Sequence, residues 1–454
     1  MAVSVEGLAS AVRGRVVGPA DGDYDESRTL YNAMIDKRPA AIAYCVDEAD
    51  VAAAVRYGVE HGLRIAVRGG GHNGGGLGSV DDGLVIDLSP MKAIEVDAGA
   101  KIARVQGGAL LKELLETTHQ DGLTVPVGII GTTGVGGLTL GGGIGHFSRA
   151  FGLTIDNLLA ATVVLADGSV VQTDSEREPD LFWAIRGGGG NFGVVTQFTF
   201  RCHPASTVLA GPVLHDIDDS ADVLRWYREF VPAQPDELGI WYGLVSVPPG
   251  PPFPEELHLR KVAALVLTQA GEEESDALRA ARSFGKPLLD GVGPLPVPVW
   301  NTAFDGVYPP GDQWYWRGDF VEELSDDAID VHLRFHESVP TWKSTMHLYS
   351  IDGAASRVGN DETAWAYRHA KWGQVIAGVD PDPANADAIT EWARGYSDAL
   401  KPHVLAGGYS NFAMDEPDRV RGMYGANYDR LARIKARYDP DNVFNVNQNI
   451  APAA

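Results

Sequence analysis

Cysteine is scarce in this chain of 454 residues, which contains only Cys45 and Cys202. Two cysteines exclude a disulfide framework, and their spacing does not fit a metal site. Basic residues are also in the minority, since 37 lysines and arginines stand against 61 aspartates and glutamates. The formal net charge of -24 argues against nucleic acid and anionic membranes as partners, because both are negatively charged.

Long apolar runs are missing as well. No stretch approaches the ~20 apolar residues that a membrane helix requires. The N-terminal residues lack a basic region followed by an apolar core, so we expect no secretion signal and a cytoplasmic protein. The length and the hydrophobic content of 44% predict an ordinary globular protein with a sizeable core and two domains.

Glycine is abundant, and the chain is organised around a glycine loop at residues 64–78. A short apolar run at 63–67 predicts a buried strand, which leads into glycines interrupted by His72 and Asn73. Glycine permits positive φ and close backbone approach. Consecutive amides in such a loop can therefore converge on an anion, and a pyrophosphate needs such a cradle.

His72 has several interpretations. The simplest is a loop histidine that only hydrogen-bonds locally. A metal site is disfavoured, because no second histidine lies at ligand spacing and no acidic cluster flanks the loop. The glycines match the G-x-G-x-x-G fingerprint, but that motif must open a helix, which residues 74–78 do poorly. The context favours a dinucleotide cradle of another kind, in which the imidazole is a base or is joined to the cofactor.

Two further glycine clusters lie at residues 128–146 and 186–193. Glycine destabilises both helices and strands, so such clusters indicate either tight backbone packing or main chain against a large flat ligand. We favour the ligand, because packing alone does not explain repeated clusters. The third cluster also matches G-x-G-x-x-G, but its order of helix, glycines and strand is the reverse of the Rossmann unit.

Periodicity predicts a helix-and-strand unit at the start of the chain. Asp47 is a helix cap, and Val51, Val55, Val59 and Leu63 recur every four residues behind it. Residues 160–171 form a hairpin with Asp167-Gly168 as its turn. The other predicted strands are 84–88, 93–97, 101–105 and 194–200, and the other predicted helices are 109–118 and 180–185.

The middle of the chain predicts an antiparallel sheet with helices on one face. The aromatic residues of a predicted loop at 291–318 belong either to the core or to an apolar or sugar-stacking pocket. A long helix is predicted at 417–438. The predicted strands are 238–247, 257–268, 345–351 and 371–379, and the predicted helices are 221–231, 272–284, 326–339 and 383–403.

Several motifs in fixed order carry a family resemblance. They are Gly70-Gly71-His72, the run at 132–145, Asp156-Asn157, the hairpin, the run at 186–193 and the closing run at 436–450. Together they resemble the berberine bridge enzyme-like branch of the vanillyl-alcohol oxidase and p-cresol methylhydroxylase (PCMH) flavoprotein superfamily, over essentially the whole chain. The resemblance implies an α+β, two-domain PCMH-type fold. Residues 1–206 would bind FAD, 207–410 would form an antiparallel-sheet substrate domain covering the flavin, and 411–454 would return to the FAD domain.

The resemblance also implies covalent FAD, with His72 bonded to the 8-methyl carbon of the flavin. A second link through cysteine should be absent, because Ile130 occupies the matching position. Thr133 occupies the position that admits or obstructs oxygen in the family, and its small volume favours oxygen. The other implied cofactor-binding residues are Arg68, Gly69, Gly70, Gly71, Asn73, Gly131, Thr132, Gly136, Gly137, Gly141, Gly142, Gly145, Val195, Asn447 and Asn449.

The implied catalytic residues lie near the end of the predicted substrate domain. Tyr409 and Asn411 match the family's Tyr-x-Asn, whose tyrosine is the proposed base in bacterial members. Tyr349 matches a second position, and His347 and Asp352 compete with it. A tyrosine of pKa ~10 is a poor base at neutral pH unless its anion is stabilised or a relay accepts the proton. Tyr409 supported by Tyr349 would form that relay.

These features predict an FAD-dependent oxidase that takes a hydride from an alcohol-type carbon and passes electrons to dioxygen, giving hydrogen peroxide. The expected partners are O2 and a small molecule: a sugar, an aromatic alcohol or a natural-product intermediate. We expect no metal, and a monomer or homodimer. The alternatives are a flavin dehydrogenase of the same fold with another acceptor, a nicotinamide-dependent FAD reductase, and a binding protein without turnover.

Overall fold

The computed structural model describes residues 5–414 and 416–454. A four-stranded and a five-stranded sheet form from the N-terminal part of the chain, and an eight-stranded sheet forms from the middle. A two-stranded sheet is also present, and helices accompany the three larger sheets, as an α+β architecture requires. Within the described residues, no helix is long and apolar enough to cross a membrane.

The two N-terminal sheets differ in strand direction. The N-terminal strands are β1 (Val16–Val17), β2 (Ala41–Tyr44), β3 (Ile65–Arg68), β4 (Leu84–Asp87), β5 (Ile94–Asp97), β6 (Ile102–Gln106), β7 (Leu123–Thr124), β8 (Leu158–Val164), β9 (Val170–Asp174), β10 (Val194–Arg201) and β11 (His203–Pro204). In the order β1-β2-β4-β3, both β2 and β3 run parallel to β4. The order β5-β6-β10-β8-β9 is antiparallel throughout. The strands predicted in this region are present, with their ends shifted by a few residues.

One of the N-terminal helices has the N-terminal cap that the sequence predicts. These helices are α1 (Val5–Ala11), α2 (Tyr24–Ser27), α3 (Glu48–Glu60), α4 (Leu111–His119), α5 (Val135–Leu140), α6 (Ser148–Phe151) and α7 (Pro179–Ile185). The side chain of Asp47 accepts the backbone N–H of Asp50 at 3.0 Å and so caps α3. Helix α3 ends before Gly62, whose φ is +64°, so Leu63 lies beyond the helix that its spacing predicted. Helix α5, inside the second glycine cluster, was not predicted.

The eight-stranded sheet is antiparallel and separates two hydrophobic cores. Its strands are β12 (Thr207–Asp216), β13 (Leu238–Ser246), β14 (Lys261–Ala270), β15 (Leu289–Asp290), β16 (Gly293–Pro296), β17 (Gln313–Val321), β18 (Thr345–Ser350) and β19 (Trp372–Asp380). They follow the order β15-β12-β14-β13-β18-β19-β17, and β16 pairs with β12. On one face, Tyr242 shares a core with Tyr227 and Tyr396 of the covering helices. The opposite face, with Trp241 and Tyr349, shares its core with the N-terminal sheets.

Four helices of this region begin and end close to the predicted limits, and a fifth, short helix was not predicted. They are α8 (Ser220–Phe230), α9 (Asp276–Arg282), α10 (Val297–Asn301), α11 (Asp326–Glu337) and α12 (Ala386–Leu400). Helices α8, α9, α11 and α12 contribute to the core on one face of the eight-stranded sheet, as the sequence predicts. The other face of the sheet packs mainly against the N-terminal part of the chain.

Three secondary-structure predictions were wrong. Strand β12 was missed, and the predicted loop at 291–318 contains α10 and the first residues of β17. Strand β12 contains the Gly211-Pro212 pair and β17 contains Gly318, and both residue types are typical of turns. The predicted long helix at 417–438 is two helices, α13 (Val420–Tyr424) and α14 (Tyr428–Tyr438). They separate at Gly425, whose φ of +50° breaks the α-helical path.

Candidate active site

A large cavity lies between the glycine clusters and the face of the eight-stranded sheet that packs against the N-terminal part of the chain. Residues of all three glycine clusters contribute to its wall. Among the predicted site residues, those that line it are Arg68, Gly69, Gly70, Gly71, His72, Asn73, Thr133, Gly136, Gly137, Gly141, Val195, Tyr349, Tyr409 and Asn447.

The remaining predicted residues lie behind this lining. Thr132 hydrogen-bonds to His72 rather than facing the cavity, and the amide of Gly131 donates to Asp305 at 2.8 Å. A Cβ on Gly142 would lie 3.5 Å from the ring of Tyr409, so this glycine packs against the proposed base. The amide of Gly145 donates to the hydroxyl of Ser148. Asn449 keeps a buried side-chain oxygen without a hydrogen-bond partner among the described residues.

His72 is held from three sides. Its Nε2 lies 3.0 Å from the hydroxyl oxygen of Thr132, and its Nδ1 lies 3.3 Å from that of Thr133. The imidazole also stacks on Tyr31, with ring centroids 3.8 Å apart. Burial lowers the pKa of His72 to about 3, so its ring is neutral at physiological pH. A neutral imidazole with a fixed orientation can act as a nucleophile or a base.

The first two glycine clusters touch through their main chains. A Cβ on Gly70 would lie 2.3 Å from the backbone nitrogen of Gly134, which no side chain can tolerate. Gly71 has a φ of +69°, which turns the loop immediately before His72. These glycines are therefore required for a close approach of two loops at the cavity wall.

Arg68 stands at the end of β3, beneath the first glycine loop. Its Nε donates to Asp87 in a buried ion pair, and its Nη2 donates to the carbonyl of Ser27 at 2.8 Å. Its Nη1 is buried and has no partner among the described residues. A buried guanidinium donor without a partner is costly, so Nη1 is suited to a ligand in this cavity.

The phenol oxygen of Tyr409 accepts three hydrogen bonds. The donors are the backbone N–H groups of Gly143 at 3.0 Å and Ile144 at 3.3 Å, and the side-chain amide of Asn411 at 3.0 Å. Burial raises the pKa of Tyr409, while the three donors act in the opposite direction. Three donors on one oxygen match a phenolate better than a phenol, because the phenol has only two lone pairs. Tyr409 thus has the surroundings of a base.

Tyr349 belongs to a separate hydrogen-bonded chain. Its hydroxyl lies 2.8 Å from Nδ1 of His347, and Nε2 of His347 lies 2.9 Å from the hydroxyl of Thr345. Thr345 donates its own proton to the carbonyl of Leu244 at 3.1 Å, so its oxygen accepts from Nε2–H of His347. Burial lowers the pKa of His347 to about 3, and this neutral ring therefore accepts the Tyr349 proton at Nδ1.

The structure also distinguishes between His347 and Asp352, the two alternatives to Tyr349. His347 lines the cavity beside Tyr349. Asp352 instead forms an ion pair with Arg149 at 3.0 Å, and burial raises its pKa despite the arginine. It belongs to a different pocket on the outer side.

The aromatic residues of the predicted loop divide into three groups. Tyr308, Trp314 and Trp316 line the cavity. Trp300 and Phe304 pack around His146 instead, with centroids 4.8 and 6.5 Å from its ring. Tyr315 belongs to the core beneath the helices, because it alternates with its neighbours along β17.

Several residues that line the cavity were not predicted from the sequence. Tyr31 is an isolated aromatic residue far from any glycine cluster, and Phe412 lies in a short turn. Neither residue belongs to a sequence pattern that predicts a cavity. Gly189 and Gly190 line the cavity although their cluster is no nucleotide fingerprint of the Rossmann kind. Gln448, next to the predicted Asn447, also contributes.

Comparison with known proteins agrees with this geometry. The model of an FAD binding domain matches residues 39–174, and the model described as berberine and berberine like matches residues 408–451. An uncharacterised FAD-linked oxidoreductase of Bacillus subtilis, YgaK, is 34% identical over 97% of both chains. The chain belongs to the berberine bridge enzyme-like family of FAD-linked oxidoreductases.

Other members of the family have named activities. The (R)-6-hydroxynicotine oxidase of Paenarthrobacter nicotinovorans is 30% identical over 97% of both chains. A solved structure of glucooligosaccharide oxidase from Acremonium strictum superposes with a TM-score of 0.85 at 25% identity, covering all of both chains. That oxidase contains a 6-S-cysteinyl, 8α-N1-histidyl FAD. These comparisons confirm the predicted family and fold class, and they identify the protein as an FAD-linked oxidoreductase.

Proposed function

We propose that this oxidoreductase is an oxidase that takes a hydride from an alcohol-type carbon of a small molecule and passes the electrons to dioxygen. The observation that carries the proposal is the position of Tyr409, whose triply bonded phenol oxygen shares one cavity with His72 and the glycine loops. Oxidation of an alcohol requires a base for the hydroxyl proton and an acceptor for the hydride.

The cavity fits FAD. Amides of the first glycine loop would hold the pyrophosphate, and Nη1 of Arg68 is a buried donor that still lacks a partner. Gly136, Gly137, Gly141, Val195 and Asn447 offer a main-chain and apolar wall suited to a flat ring system. On this basis residues 1–206 and 411–454 form the cofactor-binding part of the proposed arrangement, and residues 207–410 form the substrate domain.

Bound FAD would supply the two-electron acceptor. The protein's own task is then to orient the substrate and to move one proton. Tyr409 takes the hydroxyl proton of the substrate, and the amides of Gly143 and Ile144 with Asn411 hold the phenolate that does so. Tyr349 donates its own proton to His347 and lines the cavity as a hydrogen-bond acceptor, which leaves Tyr409 as the base.

A single covalent link through His72 is part of the proposal. The neutral, fixed imidazole supports attachment to FAD, because the free lone pair of a ring nitrogen must be the nucleophile. Ile130 lines the cavity where a second link would need a cysteine. Cys45 and Cys202 are buried outside the cavity lining, and burial raises the pKa of both thiols.

Dioxygen as the final acceptor is supported by Thr133, a small residue on the cavity wall. The test of the whole proposal has two stages. Acid-precipitated protein should remain yellow, and a tryptic flavopeptide should contain His72. Substrate added without oxygen should bleach the flavin, and readmitted air should restore its colour with release of hydrogen peroxide. Colourless precipitate, or recovery only with an artificial acceptor, would contradict the covalent link or the oxidase assignment respectively.

A further inference from the structure

Five aromatic side chains form one continuous surface of the cavity. We call Tyr31, Tyr308, Trp314, Trp316 and Phe412 the aromatic wall, since all five line the cavity. Ring centroids along the series from Tyr308 through Trp314 and Trp316 to Phe412 are 5.3, 5.1 and 6.0 Å apart, and Tyr31 lies 5.6 Å from Trp314. Such a surface favours flat apolar rings, which gain from stacking as well as from buried area.

The side of the cavity formed by the eight-stranded sheet and its loops is uncharged. Its lining residues are Tyr308, Trp314, Trp316, Thr345, His347, Tyr349, Val375, Ala377, Tyr409 and Ser410. None of these described residues is an aspartate, glutamate, lysine or arginine, and burial lowers the pKa of His347 to about 3. A charged ligand here would lose its hydration without gaining a counter-ion.

Most polar groups on this side already have partners within the protein. Thr345 donates to the carbonyl of Leu244, Tyr349 bonds to His347, and Tyr31 donates to the carbonyl of Tyr308 at 2.8 Å. The indole N–H groups of Trp314 and Trp316 are buried donors without a partner among the described residues. These two indole groups are donors that remain for a ligand oxygen, and two donors replace only a few of the bonds to water that a ligand rich in hydroxyl groups gives up.

We infer that the substrate is an uncharged aromatic alcohol, with its ring against the aromatic wall and its hydroxyl group at Tyr409. The inference rests on the proposed function, because it names the substrate of the same site. In the reaction the carbinol carbon loses a hydride and its oxygen loses a proton, so an aldehyde or ketone forms. The carbon is oxidised by two electrons, the bound FAD is reduced by two, and the proton goes to Tyr409.

A matched set of alcohols tests this class in the flavin-loaded enzyme. The set contains 4-methylbenzyl alcohol, its anionic analogue 4-(hydroxymethyl)benzoate, its cationic analogue 4-(aminomethyl)benzyl alcohol, the saturated analogue 4-methylcyclohexylmethanol, and cellobiose. Anaerobic loss of flavin absorbance at equal concentrations gives the rates. We expect 4-methylbenzyl alcohol to react at least about tenfold faster than each charged analogue, the saturated analogue and cellobiose. A faster reaction with cellobiose or with a charged analogue would overturn the substrate class and leave the oxidase function standing.

A pair of neighbouring variants tests the aromatic wall. Trp316→Leu removes one ring from the cavity, whereas Tyr315→Leu removes a ring from the opposite face of β17. Trp316→Leu should raise KM for 4-methylbenzyl alcohol by about tenfold, and Tyr315→Leu should leave it within about twofold. Equal increases in KM for both variants would show that disturbance of β17, rather than loss of a ring from the aromatic wall, weakens substrate binding. That result would count against the inference.

Binding of an unreactive ligand separates the two proposals. The neutral aromatic 4-methylbenzamide lacks an oxidisable carbinol, and we expect it to perturb the visible flavin spectrum of the parent and to bind more weakly to Trp316→Leu. If it binds in this way while no alcohol reduces the flavin, the preference of the cavity for an uncharged aromatic ligand stands and the oxidase proposal fails. If it does not bind and no aromatic alcohol reacts, the substrate class is wrong.

Discussion

The phenol oxygen of Tyr409 lies 3.0 Å from the backbone nitrogen of Gly143, although 266 positions separate the two residues. This bond joins the edge of the eight-stranded sheet region to the second glycine cluster. Asn411 reinforces the junction, since its side-chain amide donates both to Tyr409 and to the carbonyl of Leu138 at 3.0 Å. The proposed base is thus held by main chain from the other half of the cavity.

Tyr409→Phe should separate catalysis from packing. The variant keeps the ring but leaves the amides of Gly143 and Ile144 and the Asn411 side chain without their acceptor. We expect anaerobic flavin reduction to fall by roughly 10²–10⁴-fold. The unfolding free energy should fall by about 1–3 kcal/mol, because buried donors lose their partner.

Tyr367→Phe is the matched control. Its hydroxyl is also buried and donates to the carbonyls of Ala406 and Gly422, but Tyr367 is absent from the residues that line the cavity in the described chain. We expect a similar loss of stability with flavin reduction close to that of the parent. If Tyr409→Phe reduces its flavin at the parent rate, the base lies elsewhere, and His347 becomes the better candidate.

Asn411→Leu should change the pH dependence of flavin reduction. The reactive form of Tyr409 is the phenolate, so the rate rises with pH through the pKa of Tyr409. Burial raises this pKa and the Asn411 amide lowers it, so removal of the amide raises it further. The rising limb of the rate profile should therefore move to higher pH. A limb that stays in place, or moves to lower pH, would show that Asn411 does not stabilise the anion.

The proposal gives Thr133 two separable roles. Its hydroxyl lies 3.3 Å from Nδ1 of His72, while its volume limits access to the cavity wall. Thr133→Val keeps the volume and removes the hydroxyl, so we expect a smaller fraction of covalently bound flavin and little change in reoxidation by air. Thr133→Leu should slow reoxidation in stopped flow without a comparable effect on anaerobic reduction. Equal effects of the two variants on both measurements would refute this division.

Lys435 fastens the C-terminal segment to the third glycine cluster. Its fully buried ammonium donates to the carbonyls of Asn191 at 2.6 Å and Phe444 at 2.9 Å, and to the Asp439 carboxylate. Lys435→Met leaves Asp439 buried and unpaired, so the unfolding free energy should drop by about 3–5 kcal/mol in urea titrations. The double variant Lys435→Met, Asp439→Leu should recover part of that loss. No recovery would mean that the carbonyl contacts, rather than the ion pair, carry the stability.

The sequence by itself determined the family, the glycine clusters of the cavity wall and most elements of the fold. Asp47 caps α3 as predicted, because a cap depends only on residues within one turn. The glycine clusters could be interpreted for a similar reason. A residue without a Cβ indicates a close backbone approach even when its partner lies far away in the sequence. Gly70 and Gly134 show this clearly, as their backbones meet across two loops.

Only the tertiary structure decided the strands and partners that depend on distant residues. Strands β12 and β17 contain glycine or proline, which indicate turns in a sequence, and they are strands because they pair with β14 and β19. The partner of Tyr349 is His347 and not Tyr409, and nothing in the spacing of these residues distinguishes the two arrangements. Hydrogen bonds such as those from Gly143 and Ile144 to Tyr409 form only when the fold brings distant main chain to a side chain. A linear sequence records residue types and short-range periodicity, whereas the direction of a proton in a buried site is set by three-dimensional contacts.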